Sequence, residues 1–203
     1  RPDPKQSIQK FKDMVASKQL KTDLIGYINY VYFIRERQRH GFADVIPPLH
    51  MIFMGHPGTG KTTVAQMLAE ILESAGVLAT RNVTVRGRGE LVGDGSVPPQ
   101  QIALYAFEQA RGGLLFLENA QSFFQDAAGA AVLSVILGQL SETENGDTVV
   151  VLSGDPVEME KALGRNPKIR ALFPYQFNFE DYTPEELLDI AERKITEREY
   201  ALD

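Results

Sequence analysis

The sequence predicts an α/β fold of three layers, a five-stranded parallel sheet covered by helices on both faces. Three observations lead there. Four short strand-like runs (49–54, 82–86, 114–117 and 147–152) alternate with stretches whose apolar residues recur at three- and four-residue spacing. Alternation of that kind implies parallel strands joined by helical crossovers, with helices on both faces. A fifth run, 175–179, alternates apolar and polar residues. Between the first run and its helix lies a glycine-rich stretch of fixed spacing, 55–62.

Taken in order, the chain opens with helical pattern over 5–40. Ile8, Phe11 and Val15, then Leu24, Ile25, Ile28, Val31 and Tyr32, mark the apolar face. Arg35, Arg37 and Arg39 suit the negative end of the second helix, and Gly41 is its stop. Tyr27, Tyr30, Tyr32 and Phe33 read as packing or subunit contact rather than as a base-stacking platform. Pro47 and Pro48 launch the first strand, and a helix spans 63–73 until Ala75-Gly76. Residues 87–99 hold four glycines and two prolines, which predicts an exposed loop. Arg86 and Arg88 beside it read as solvated, with a phosphate-bearing partner as the alternative. A helix follows from Pro98-Pro99 to Gln109, and another, rich in Ala, Leu, Val and Ile, covers 127–143. A short helix over 156–163 precedes Asn166-Pro167. The last helix starts at Thr183-Pro184-Glu185-Glu186, a Thr cap with Pro at the first position and Glu at the third, and runs to about Tyr200.

Gly55-His56-Pro57-Gly58-Thr59-Gly60-Lys61-Thr62 fits G-x-x-x-x-G-K-[ST] at every specified position, after a strand and before a helix. Glycines let such a loop wrap a polyphosphate with its N–H groups pointing inward, and the helix adds its positive end. Pro57, Gly58, Thr59, Gly60, Lys61, Thr62 and Thr63 are therefore the expected nucleotide-binding residues. Lys61 would reach the β/γ phosphates and the Thr62 hydroxyl a Mg²⁺ ion. The chain binds a nucleoside triphosphate or descends from one that did.

Bulk properties narrow the class. At 203 residues the chain is one large domain, or one domain with part of another. A formal charge of −6 argues against a nucleic-acid surface. There are no cysteines, which excludes disulfides and thiolate metal sites and suits the cytoplasm or another reducing compartment. No apolar run approaches the ~18 residues of a membrane span. The opening Arg1-Pro2-Asp3-Pro4 lacks an initiator Met and reads as a cut inside a longer protein, so a targeting segment could lie outside it.

The segments 49–65, Glu90-Leu91-Val92-Gly93, 112–118, 149–154 and Asn166-Pro167 together resemble the AAA+ ATPases, and within them the CbxX/CfqX group, which includes the red-type rubisco activase. The resemblance covers most of 14–195. It implies a P-loop α/β core over 47–181, an N-terminal helical segment over 1–46, and over 182–203 the start of a truncated helical lid. It also implies ATP or ADP with Mg²⁺, ring partners that are other AAA+ domains or subunits, and remodelling of a protein substrate. Matched to the group, Val15 and Ala16 fall at the adenine-contact segment, and Leu24-Ile25-Gly26 is a decoy. Ser153 or Asp155 falls at the polar position after strand four that places water.

The departures from that pattern are informative. The family's Asp-Glu at the end of strand three is Glu118-Asn119 here. Glu118 keeps a carboxylate for the metal, whereas Asn119 cannot accept a proton. The substrate-gripping loop after Leu91-Val92-Gly93 continues Asp94-Gly95-Ser96, without an aromatic. The arginine-finger position is Leu172, and Arg170 is the nearby substitute. Loss of base, finger and aromatic together points to nucleotide binding with weak or absent hydrolysis, in a regulatory or structural module of a larger AAA+ protein or mixed ring. A working remodelling ATPase and, last, another P-loop kinase are the competing readings.

Overall fold

The computed structural model describes residues 4–42, 47–142 and 148–200. Helix α1 (Pro4–Asp13) leads into α2 (Lys18–Arg39), whose first turn is capped by the Ser17 hydroxyl accepting from the Leu20 N–H at 3.2 Å. Leu20, Leu24, Tyr27, Ile28, Val31 and Ile34 form its buried stripe, and Gly41 beyond its end has φ +73. Strand β1 (Met51–Gly55) then runs into α3 (Lys61–Ser74) through the glycine-rich loop. Strand β2 (Val83–Arg86), α4 (Arg88–Val92), α5 (Pro99–Gln109) and β3 (Leu114–Leu117) follow. A 3₁₀ turn (Ala120–Phe124), α6 (Ala127–Glu142) and β4 (Val149–Gly154) come next, then α7 (Pro156–Gly164), α8 (Pro167–Leu172), β5 (Tyr175–Phe179) and α9 (Pro184–Tyr200).

The five strands pair in parallel in the order β2-β3-β4-β1-β5. Successive side chains point to opposite faces, so each central strand feeds two cores. Met51, Phe53, Leu114, Phe116, Val149 and Val151 pack with α1, α2 and α3 on one face. Ile52, Met54, Leu115, Leu117, Val150 and Leu152 pack with α5, α6 and α7 on the other. Burying a side chain of this size contributes about 1.5–3 kcal/mol, which is why the central strands carry unbroken apolar runs. The predicted three-layer α/β architecture is what the structure shows.

The aromatic residues of α2 serve that packing. The Tyr27 ring meets Tyr175 edge-on at 4.8 Å, and its hydroxyl donates to the Leu49 carbonyl at 2.9 Å. Tyr30 leans on Tyr175 and the Tyr32 hydroxyl meets that of Ser74, while Phe33 stays exposed beneath the Arg37 guanidinium.

Three differences from expectation have local causes. The stretch 87–99 is not loop throughout, because α4 interrupts it. The Glu90 carboxylate accepts from the Gly87 N–H at 2.9 Å and Leu91 is fully buried, which holds a helical turn despite the glycines. Arg86 and Arg88 are tied down rather than freely solvated: Arg86 donates to Val85 and Gln109, and Arg88 to the Ser122 carbonyl and Asp126. Strand four begins at Val149 and extends through Ser153 and Gly154, which continue its pairing with β1. Asp147, expected to open that strand, lies outside the described residues.

Candidate functional site

The order β3-β4-β1 places the C-terminal ends of three neighbouring strands together, where an open α/β sheet offers a ligand crevice. Gly55 ends β1 in tight surroundings, since a Cβ there would stand 2.7 Å from Phe179 Cβ. The loop turns through Gly58 at φ +79 and Gly60 at φ +89, conformations that glycine adopts without penalty. Thr59 points inward, its hydroxyl donating to the His56 carbonyl at 2.7 Å, and so supports the loop from within. Lys61 opens α3 and folds back over the loop, donating to the carbonyls of Gly55 at 2.7 Å and His56 at 2.6 Å. Partial burial holds its ammonium below the usual lysine range, opposed by the nearby charges of Glu118, Asp155 and Asp181.

A cavity of about 980 Å³ opens beside this loop. Pro57, Gly58, Gly60, Lys61, Thr62 and Thr63 line one wall. Glu118, Asn119 and Ser153 line the same cavity, so the residues expected to handle metal and water share it with the loop. Ser153 is 2% exposed on β4, and Asp155 just beyond it caps α7 by accepting from the N–H groups of Val157 and Glu158. Asn119 has φ 49 and ψ 46 and is the one non-glycine residue with positive φ among those described. Its carbonyl accepts from the backbone N–H of Ser122 at 2.9 Å and from the Ser122 hydroxyl at 2.7 Å.

The apolar residues Met14, Val15 and Ile190 also line the cavity. Ala16 lies in an adjoining polar groove instead. Leu24-Ile25-Gly26 sits inside α2, away from the cavity, as a decoy should. Several residues with no local sequence signal complete the site. The Tyr182 hydroxyl donates to the Thr59 carbonyl at 3.1 Å, and a Cβ on Gly60 would come within 2.6 Å of it. His56 Nδ1 is 2.9 Å from Asp181, and its Nε2 is 3.6 Å from Asp155. Arg193 donates to the Asp13 carbonyl at 2.7 Å while gripping Asp189 through two nitrogens, which joins α9 to the end of α1.

Other expected residues lie elsewhere. Arg170 stands outside the cavity, paired with Glu160 at 2.8 Å and donating to Gln176 at 3.3 Å. Leu172 packs against the second core and so adds apolar contact rather than a projecting charge. The loop after Gly93 is exposed, and Asp94 accepts from both the N–H and the hydroxyl of Ser96 at 2.9 and 2.6 Å. Those bonds hold its carboxyl below the usual aspartate range.

Among the described residues no three of His, Cys, Asp and Glu gather as a metal cage. Thr62 and Glu118 nevertheless line one cavity, a donor set that fits a Mg²⁺ ion bound through few protein oxygens, with phosphates and water as its remaining ligands. Among the described residues no helix is long and apolar enough to cross a membrane.

Comparison with known proteins agrees with this architecture. Residues 51–175 match the family described as ATPase family associated with various cellular activities (AAA). A CfxQ homolog from Cyanidium caldarium is 31% identical over 195 residues, covering 93% of this chain and 67% of its own. The chloroplastic ribulose bisphosphate carboxylase/oxygenase activase of Cyanidioschyzon merolae is 31% identical over 94% of this chain and 66% of its own. The chain thus spans about two thirds of the length of these relatives. Among solved structures, the FIGL-1 AAA domain in complex with ADP superposes with a TM-score of 0.60 at 16% identity, over 88% of this chain and 58% of that one. By profile match, by sequence identity and by fold, the chain belongs to the AAA family of ATPases, and within it to the CbxX/CfqX group.

Proposed function

We propose that this chain binds ATP and ADP in the 980 Å³ cavity, hydrolyses ATP weakly or not at all, and serves as a regulatory or structural module of a larger AAA+ protein or mixed ring. One observation carries the reading: a complete phosphate loop shares its cavity with Asn119, an amide, where the chemistry calls for a carboxylate. Backbone N–H groups of 58–62 and the Lys61 ammonium would neutralise the phosphates. Thr62 and Glu118 would hold Mg²⁺, which screens charge between the phosphates. Val15, with Met14 and Ile190, would enclose the base, and Ala16 would support that segment from the adjoining groove. Residues 1–46, 47–181 and 182–203 then act as helical segment, nucleotide core and start of the lid.

Hydrolysis lacks two of its parts. Loss of a general base costs about 10²–10⁴ in rate, or roughly 3–5 kcal/mol of barrier. Ser153 alone would orient a water without deprotonating it. An arginine supplied in trans contributes about 10³–10⁵, yet Leu172 is committed to packing and Arg170 to Glu160. The competing reading, a remodelling ATPase, is favoured by Glu118 and Ser153 at the cavity wall and by the activase among the relatives.

The test is nucleotide affinity of the Lys61→Ala variant. The ammonium is the one mobile charge on the loop, so its loss should abolish ATP and ADP binding measured by calorimetry. Micromolar affinity retained in that variant would sink the assignment.

A further inference from the structure

Gln121 lies in the 3₁₀ turn two residues beyond Asn119, and no motif points to it. Its Oε1 is buried without a hydrogen-bond partner, the one such side-chain atom among the described residues. The residue lines the same cavity as Lys61, Thr62, Asn119 and Ser153. Its amide rests against Gly154 at the end of β4, where a Cβ would stand only 2.1 Å from Oε1. The approach therefore requires glycine at the position directly after Ser153. A buried amide oxygen that forgoes a donor is costly, and such an atom in a native fold calls for an explanation, of which a catalytic role is one.

We propose that Gln121 is the positioning residue for the hydrolytic water in this site, its carboxamide turning from Gly154 into the cavity so that Oε1 accepts a hydrogen bond from a water beside the terminal phosphate. This rests on the nucleotide reading above. A glutamine orients the attacking water in other phosphate-loop enzymes without itself removing a proton. Here the water oxygen would bond to the γ-phosphorus as the bond to the β–γ bridging oxygen breaks. The electron pair of that bond leaves with ADP. The departing water proton ends on the released phosphate, since Asn119 cannot take it. Turnover of this type is slow, in keeping with a site that lacks a base. Ser153 lines the same cavity and would offer that water a second polar contact.

The experiment compares Gln121→Leu and Gln121→Glu with the unmodified chain, reading ADP affinity, ADP affinity with aluminium fluoride, thermal stability and single-turnover hydrolysis. Aluminium fluoride mimics the transferring phosphoryl group with its axial water and gives a readout that needs no turnover. In Gln121→Leu, ADP affinity should stay within about threefold and stability should hold, because the contact to Gly154 needs no polar atom. The gain from aluminium fluoride should vanish and turnover should fall about tenfold or more. Gln121→Glu, which keeps the acceptor at the same reach, should retain turnover. Full turnover in Gln121→Leu would overturn the proposal. So would parallel loss of ADP affinity and stability in that variant, or failure of Gln121→Glu to retain turnover. Absence of turnover in the unmodified chain with ADP binding intact overturns this proposal and leaves the nucleotide reading standing. Absence of ADP binding overturns both.

Discussion

Asn119 occupies a backbone region that most L-residues resist, at a cost of roughly 1–2 kcal/mol, while asparagine tolerates it through its short polar side chain. The conformation is held by the two hydrogen bonds from Ser122 to the Asn119 carbonyl. This bears on the obvious repair experiment. Asn119→Glu restores a potential base but also places a longer side chain in a left-handed position. We predict that Asn119→Glu lowers stability by about 1 kcal/mol in chemical denaturation, and that Asn119→Gly costs less. Equal stability of the two variants would show that the strain is absent. Turnover of the Glu variant is therefore to be read beside its stability, since a partly unfolded site would mask a restored base.

At the scale of elements, β1 and β4 are joined below their ladder by His50, 9% exposed, whose Nδ1 accepts from the Val150 N–H at 3.1 Å. Burial lowers its pKa from the ordinary 6.5 to about 4. The neutral ring is the form that accepts this bond, and an unfolded chain would take up the proton first as pH falls. Stability should therefore be full above pH 6.5 and decline toward pH 4, by up to about 3 kcal/mol in total. The check is denaturant unfolding across that range, with His50→Leu as the comparison. The variant should lose most of this pH dependence, and an unchanged slope would assign it to other groups. The elements were largely legible because they rest on local signals. The Thr183 cap is one: its hydroxyl accepts from the Glu186 N–H at 3.2 Å, and the Glu186 carboxylate accepts from the Thr183 N–H at 2.8 Å. Where expectation failed, the cause was tertiary. Leu91 found a buried place that turned a glycine-rich loop into α4, and the ladder with β1 carried β4 past its last apolar residue to Gly154.

For the whole molecule, the three-layer sheet brings the ends of β1, β3 and β4 to one crevice, and two long-range clips close it. His56 meets Asp181 and Tyr182 reaches Thr59, pairs 125 and 123 residues apart. Spacing along the chain carries no trace of such pairs, which is why the loop, Glu118 and Ser153 could be read from the sequence but Gln121, Tyr182 and Arg193 could not. The clips tie the loop to the segment leading into α9, so a nucleotide held there would contact the sheet core and α9 at once. The most direct measurement is the fate of ATP bound stoichiometrically to the chain, or to a longer protein that contains it, followed by rapid quench. A site that binds nucleotide without a general base predicts that ATP binds and persists, with conversion to ADP far below about 1 s⁻¹, the lower range of working enzymes. Conversion at that rate or faster, abolished by Lys61→Ala, would contradict it.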